Sequence, residues 1–352
     1  CVKCKVQEAT LESRSQPVCR PCFVKFIANK CIKQIGILGK ELPTGGPTST
    51  NTTRRYVLGL SRGVSSTALL HLLNKNVEFQ LAKARTAPFE LAVIYVDSSS
   101  LSSSLPSSEE DPLLPLRTRY PRFTYHTLPL SAALSLPAID WSALPRLDPS
   151  LPPDQRIQSF FTSLPTAASR ADILRLFTRH ILLSTAVSLD AQALLLGHST
   201  TALAELTLSE TAKGRGFSLP WVINDGGVRY PFSYGEGEIG EGERKRILVY
   251  HPLRDALRKE LVTYATLVEP PLTGLVGDQR AATDGAVVSH KDLSIEEVMF
   301  RYFAEVEESY PSVVANVART TGKLVRLFNN EEGEVEQKGC GMCGVPLDGE
   351  GD

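Results

Sequence analysis

The sequence predicts an α/β protein, a parallel sheet flanked by helices with a cysteine-rich module ahead of it and helices behind. Two stretches carry the sheet. Tyr56–Leu60 is a short apolar run suited to a buried strand, Ser61-Arg62-Gly63-Val64-Ser65-Ser66 is a turn, and Thr67–Lys83 has helical spacing through Leu69, Leu70, Leu73 and Val77. Glu90–Asp97 is a second apolar strand, which completes a strand–helix–strand unit and hence a parallel pair. The pattern returns at Gln192–Gly197, a buried strand ending in glycine, followed by a helix over Thr200–Lys213. The third observation is the placement of the cysteines. Of seven, Cys1, Cys4, Cys19, Cys22 and Cys31 lie at one end, Cys340 and Cys343 at the other, and none between.

Between these landmarks, Asp154–Leu164 and Ala167–Leu189 read as helices, and Arg122–Leu128 could form a further strand. Tyr250–Leu267, Ser294–Ser309 and Pro311–Phe328 complete the core with a helical C-terminal part. Pro43–Thr53 reads as a linker, Ser98–Ser108 as a low-complexity insertion and Gly235–Glu243 as an acidic loop. The expected organisation is a zinc-binding basic module over 1–40 and a core over 54–270 with a Ser/Pro-rich insertion at about 98–120. C-terminal helices over 290–330 and a tail over 338–352 follow.

A length of 352 residues allows two domains or one with appendages, and 42% hydrophobic residues are enough to bury a core. Lys plus Arg number 38 against 39 Asp plus Glu, so the chain is not held on nucleic acid by its overall charge. Any RNA contact must come from a local patch, and the first 40 residues, with eight basic side chains against Glu8 and Glu12, hold the obvious one. No apolar run approaches the roughly 18 residues of a membrane span, and no signal peptide opens the sequence. The expected location is the cytoplasm.

Cys1-x-x-Cys4 and Cys19-x-x-Cys22 supply four thiolates at the spacing of a zinc ribbon or knuckle. Four sulfurs leave no open coordination position, so the expected Zn²⁺ is structural. Cys31 is left over as a buried thiol. Cys340-Gly-Met-Cys343-Gly is half of a second site, whose other ligands lie beyond Asp352, on another chain, or do not exist. Basic Lys3, Lys5, Arg20 and Lys25 on the module are candidate RNA contacts, and Lys213-Gly214-Arg215 is a second, flexible basic turn. With aromatic residues at 7% and no stacking platform, recognition would run through shape and phosphate.

A Ser/Gly turn opening a helix aims backbone N–H groups at a phosphate. Here Ser61–Ser66 resembles, in degenerate form, the Ser-Gly-Gly-x-Asp-Ser pyrophosphate loop of the N-type ATP pyrophosphatases. Gly197-His198-Ser199 through Glu205 is similar to their Gly-His-Asn-x-x-Asp-x-x-Glu segment, and His251-Pro-Leu-Arg254 through Lys259-Glu260 to their Pro-Leu-Arg…Lys-Glu block. Together with the zinc pairs and the terminal CxxC, the whole resembles the cytoplasmic tRNA 2-thiolation protein 2 family. That resemblance implies an ATP-pyrophosphatase-like core and a companion subunit of a heterodimeric thiolase acting on wobble uridine 34 of tRNA. It also implies a homologous catalytic partner, which adenylates the uridine with ATP and takes sulfur from a thiocarboxylated ubiquitin-like carrier.

Departures from the motif point away from catalysis. Arg62 stands where active relatives have the second glycine, Ser65 where they have aspartate, and Ser199 where they have asparagine, while residues 32–339 offer no cysteine to carry sulfur. No catalytic residue is therefore expected, and the chain reads as a non-catalytic or weakly catalytic subunit. The alternatives are an ATP-dependent tRNA adenylating or sulfurtransferase enzyme in its own right, or a zinc-stabilised adaptor unrelated to tRNA. Since an arginine also binds phosphate, nucleotide binding at Ser61, Arg62, Gly63, Ser65, Ser66, Gly197 and His198 stays open. Asp97, at a strand end, could meet a ribose or simply solvent.

Overall fold

The structure, a computed structural model, describes residues 1–42, 53–84, 86–101, 111–231, 245–277, 293–326 and 339–345. A small hairpin comes first, β1 (Leu11–Ser13) and β2 (Gln16–Val18), turned by Arg14 and Ser15 at φ 50° and 63°. Two successive residues with positive φ make the turn that matches strand twist. Helix α1 (Arg20–Glu41) follows. The core then runs β3 (Arg54–Gly59), α2 (Val64–Ala84), β4 (Phe89–Asp97), α3 (Leu114–Arg119), β5 (Thr124–Pro129), α4 (Pro153–Ser163), α5 (Ala167–Ser188) and β6 (Ala193–Leu196). It continues through α6 (Thr200–Ala212), α7 (Leu219–Val222), β7 (Gly226–Tyr230), β8 (Lys245–Tyr250) and α8 (Arg258–Leu267), and closes with α9 (Ile295–Ser309) and α10 (Pro311–Thr321).

Six strands form one sheet in the order β5-β4-β3-β6-β8-β7, parallel throughout except for β7 against β8. The chain order reverses direction between β3 and β6, and in such sheets the crevice at the carboxyl ends of those two strands is where ligands bind. The central strands β3, β4 and β6 are buried on both faces, which is why they are continuously apolar. Tyr56, Leu58, Leu91, Val93, Leu195 and Leu248 face the layer of α1, α2 and α8. Alternate residues Val57, Ile94, Leu194, Ile247 and Val249 face Leu182, Leu183 and Ala186 of α5. α9 and α10 pack on α6, with Phe303 and Val314 closing over Ala204 and Leu257.

Three expectations change. α1 is more than part of a basic module: Phe23, Ile27, Cys31, Ile35 and Leu38 recur every three or four residues and enter the same core cluster as β3 and α2. Residues 113–120 do not belong to an insertion, because Leu113, Leu116 and Tyr120 are buried core. Tyr250 ends a strand, and the helix after it starts only at Arg258. The linker over 43–52, most of the Ser-rich stretch, the acidic loop after Pro231 and the end of the last predicted helix lie outside the described residues.

Candidate functional site

The turn over residues 1–5, ahead of the hairpin, delivers the first two sulfurs and the start of α1 the other two. Cys19 is the N-cap of α1 and Cys22 sits in its first turn. The Sγ atoms of Cys1, Cys4, Cys19 and Cys22 all lie within 4.8 Å of one another, and Cys4 and Cys19 are 3.8 Å apart. A tetrahedron with Zn–S bonds of about 2.3 Å has edges of about 3.8 Å, so the sulfurs stand where four ligands of one ion would stand. Backbone N–H groups of Gln7 and Val6 point at Cys4 and hold its thiol down at about 7. Cys22 is pushed up to about 11, by its hydrogen bond with Cys19 first, then by burial and the charge of neighbouring sulfurs. These sulfurs repel one another as thiolates, and a cation between them removes that cost. Cys31 is apart from them, fully buried, its thiol raised to about 12 by desolvation.

The terminal pair repeats one detail of this site. Lys5 N–H donates to Cys1 O at 2.9 Å with Lys5 at φ 55°, and Gly344 N–H donates to Cys340 O at 2.8 Å with Gly344 at φ 68°. Both CxxC turns therefore close in the same way. Residues 339–345 are docked on the core: Asp140 N–H donates to Gly341 O at 2.9 Å, His180 bonds Met342 O at 2.9 Å, and Val345 is buried. Cys340 is lowered to about 5 by the Cys343 thiol first, with backbone N–H groups and Arg215 adding, whereas Cys343 is raised.

At the sheet's switch point the loop after β3 meets the loop after β6. The Ser61 and Ser66 hydroxyls lie 3.2 Å apart, and Ser66 Oγ donates to Gly63 O at 3.1 Å, so the loop closes on itself. Ser65 is partly buried at the start of α2. A Cβ on Gly197 would stand 2.8 Å from Ser66 Cα, so this glycine lets β6 approach α2. Arg62 has φ 61°, the conformation that favours glycine. Its carbonyl accepts from Gly277 N–H at 2.9 Å, while its side chain lies against Gly277 and its Nε is buried without a partner among the described residues. Replacing Arg62 by glycine is therefore expected to stabilise the fold by about 0.5–1 kcal/mol in urea unfolding, and a loss of stability would show that the arginine is held by something more than its neighbours. Asp97 accepts from Ser99 N–H at 2.9 Å and Ser99 Oγ at 3.0 Å, which satisfies it locally.

His198 packs against His251, ring centroids 5.2 Å apart, and is driven down to about 3 by burial and the charges around it. His251 is fully buried, and both its backbone N–H and its Nδ1 meet Asp225 Oδ1, at 2.8 and 2.9 Å. Arg254 takes the other carboxylate oxygen at 2.6 Å. Burial lowers His251 and takes His71 to about 4. The unfolded chain protonates these rings below pH 6.5 while the folded chain keeps them neutral. Stability is thus complete above pH 6.5 and declines as the pH falls toward 4, by up to about 1.4 kcal/mol per pH unit for each ring. Urea midpoints measured from pH 7.5 to 5 should fall accordingly, and a flat profile would contradict neutral buried rings.

The candidate RNA contacts separate into two groups. Lys3, Lys5 and Lys25 are exposed, while Arg20 donates to Leu267 O at 2.9 Å and pairs with Glu269 at 2.8 Å. The Lys213–Arg215 turn is corrected from an open basic turn to an internal ion-pair network. Arg215 meets Asp172 bidentately at 2.6 Å and Glu210 at 2.9 Å, and Lys213 meets Asp172, Glu210 and Glu296 at 2.6–2.8 Å.

Glu260, known to the sequence only as part of a motif, is 4% exposed and joins the module to the core. It accepts from Leu257 N–H at 2.9 Å, from Arg14 Nε at 3.0 Å and from Lys30 Nζ at 3.0 Å. Glu205, from the Gly197 block, and Arg258, from the same block as Glu260, form a bidentate pair at 2.6 Å. Both acidic motif positions thus hold elements together.

Along its length, the chain is 36% identical to the cytoplasmic tRNA 2-thiolation protein 2 of Phaeosphaeria nodorum over 99% of this chain and 84% of the relative. The chain belongs to the cytoplasmic tRNA 2-thiolation protein 2 family. The protein of that name in Sclerotinia sclerotiorum is 37% identical over 90% of this chain and 80% of its own, and the family's sequence model matches residues 294–352. Among solved structures, the U34-tRNA thiolase NcsA from Methanococcus maripaludis, described with its [4Fe-4S] cluster, superposes with a TM-score of 0.61 over 100% of this chain and 97% of its own at 15% identity. The chain thus shares the fold of that structure, a mostly parallel sheet flanked by helices, with an N-terminal cysteine cluster able to hold a metal and C-terminal helices.

Proposed function

We propose that this chain is the non-catalytic, tRNA-binding subunit of a cytoplasmic tRNA 2-thiolation enzyme, paired with a homologous thiolase that holds the chemistry. The observation that carries the proposal is a thiolase fold with its sulfur-handling residues removed: residues 32–339 contain no cysteine. The degenerate loop supports the same reading. Arg62 occupies the glycine position, and the serine hydroxyls bond one another, where an active loop would present them to phosphate. Any nucleotide at Ser61–Ser66, Gly197 and His198 would be bound without turnover, since His198 is kept neutral and packed on His251.

Cys1, Cys4, Cys19 and Cys22 would hold a structural Zn²⁺, which contributes folding energy and no chemistry. Cys340 and Cys343 would supply two further ligands, completed by another chain or by residues past Asp352. The thiocarboxylated ubiquitin-like carrier would deliver sulfur to the partner's site on wobble uridine 34. Lys3, Lys5, Arg20 and Lys25 would face the RNA.

The test is a tRNA gel shift with the chain alone and with the candidate catalytic partner, together with metal analysis and detection of 2-thiouridine. Tight tRNA binding and product only in the mixture, with zinc bound to this chain, is the expected result. Thiolated product from the chain alone would overturn the proposal.

A further inference from the structure

A cleft of about 480 Å³ opens where α1, the segment after β8 and α10 come together, with Thr200 at the start of α6 among its walls. Six cations line it, Arg14, Lys30, Lys33, Arg254, Arg319 and Lys323, against a single carboxylate, Asp255. Three of the six are committed elsewhere: Arg14 and Lys30 to Glu260, Arg254 to Asp225. Lys33, Arg319 and Lys323 are exposed, and among the described residues none has an ion-pair partner. Asp255 itself accepts from Gln34 Nε2 at 2.7 Å. Ala315, Ala318 and Gly322 share the α10 wall with Arg319 and Lys323, so the wall is low and the charged ends stand clear of it.

We propose that this cleft grips the phosphodiester backbone of tRNA, an inference that rests on the tRNA-binding role above and gives it a place. Unpaired cations gathered around a cavity repel one another, and an anion between them turns that cost into attraction. Lysine and arginine over small residues, with no aromatic side chain in the lining, suit backbone phosphates and not stacked bases. The loop over Ser61–Ser66 contributes nothing to the lining, so the cleft is not the degenerate phosphate loop itself. The walls come from both ends of the chain, so the cleft exists only when the N-terminal module and the C-terminal helices are docked on the core.

The experiment measures binding of fluorescently labelled tRNA to the full chain, alone and with its partner, from 50 to 300 mM KCl. The triple variant Lys33→Glu/Arg319→Glu/Lys323→Glu is compared with Lys3→Glu/Lys5→Glu/Lys25→Glu, which changes charge equally on the zinc-module face. Lys33→Gln/Arg319→Gln/Lys323→Gln repeats the test without introducing repulsion, and thermal unfolding checks each fold. The expected result is a loss of affinity of about tenfold or more for the cleft variants, with the slope of log affinity against log salt reduced by about two. If wild type binds tRNA and the cleft variants bind as well as wild type, the cleft assignment falls while the tRNA role stands. Binding of Mg-ATP or polyglutamate that the cleft variants abolish, while they leave tRNA affinity unchanged, would assign the cleft to a nucleotide or an acidic protein segment and overturn it. If wild type binds no tRNA with or without the partner, the tRNA role and the cleft fall together.

Discussion

Replacing Cys19 by alanine is expected to abolish metal binding by the N-terminal cluster and to release the first twenty residues to proteolysis. The reason lies in how little else holds them. The hairpin is two strands of three residues, and a hairpin of that size is marginal without support. A closed four-sulfur site contributes on the order of 10 kcal/mol of binding free energy to the folded state, far above what the hairpin supplies. Cys19 is 3% exposed and caps α1, so its loss removes a ligand from the rigid half of the site. α1 itself should persist, since Phe23, Ile27 and Leu38 are fixed in the core. Elemental analysis of purified protein together with limited proteolysis reads both effects. Retention of a full equivalent of metal with an unchanged digestion pattern would refute the four-sulfur assignment.

Glu260→Ala is expected to destabilise the chain by about 3–5 kcal/mol, because it leaves partners of a buried carboxylate without compensation. Lys30 is the more affected cation, 13% exposed against 46% for Arg14, and burial already lowers its pKa. Leu257 N–H, buried at the start of α8, loses its acceptor as well. Glu260→Gln keeps an acceptor but not the charge, and should fall between alanine and wild type. Urea unfolding at pH 7.5 measures the loss. An effect below about 1 kcal/mol for alanine would mean that the apolar face of α1 alone holds the module in place.

Glu260 also shows where sequence reasoning runs out. Its motif was visible, but the partners, Arg14 and Lys30, lie more than two hundred residues away, and no local spacing encodes such a triad. The same holds for Lys213 and Arg215. Their charge was legible, whereas Asp172, which neutralises them, belongs to another helix, α5. The cysteine site was legible because each pair of its ligands is local and the chemistry of thiolates is narrow. β3, β4 and β6 were legible because burial on both faces makes their sequences continuously apolar. β7 was not. Gly226-Gly227-Val228-Arg229-Tyr230 has no strand signature of its own, and its conformation comes from pairing with β8. α1 did carry an amphipathic pattern, masked by its cysteines and lysines.

The two CxxC turns that close alike, one in a complete set of four sulfurs and one in a set of two, make metal content a measure of assembly. With the four-sulfur cluster filled, a chain whose terminal pair stays empty would carry one ion. A chain whose pair is completed by its own sequence would carry two. If the pair is closed between two identical chains, three ions serve every two chains, and the count per chain is no longer whole. Weighing the metal against the protein would then report who stands opposite Cys340 and Cys343 before any contact between the chains is seen.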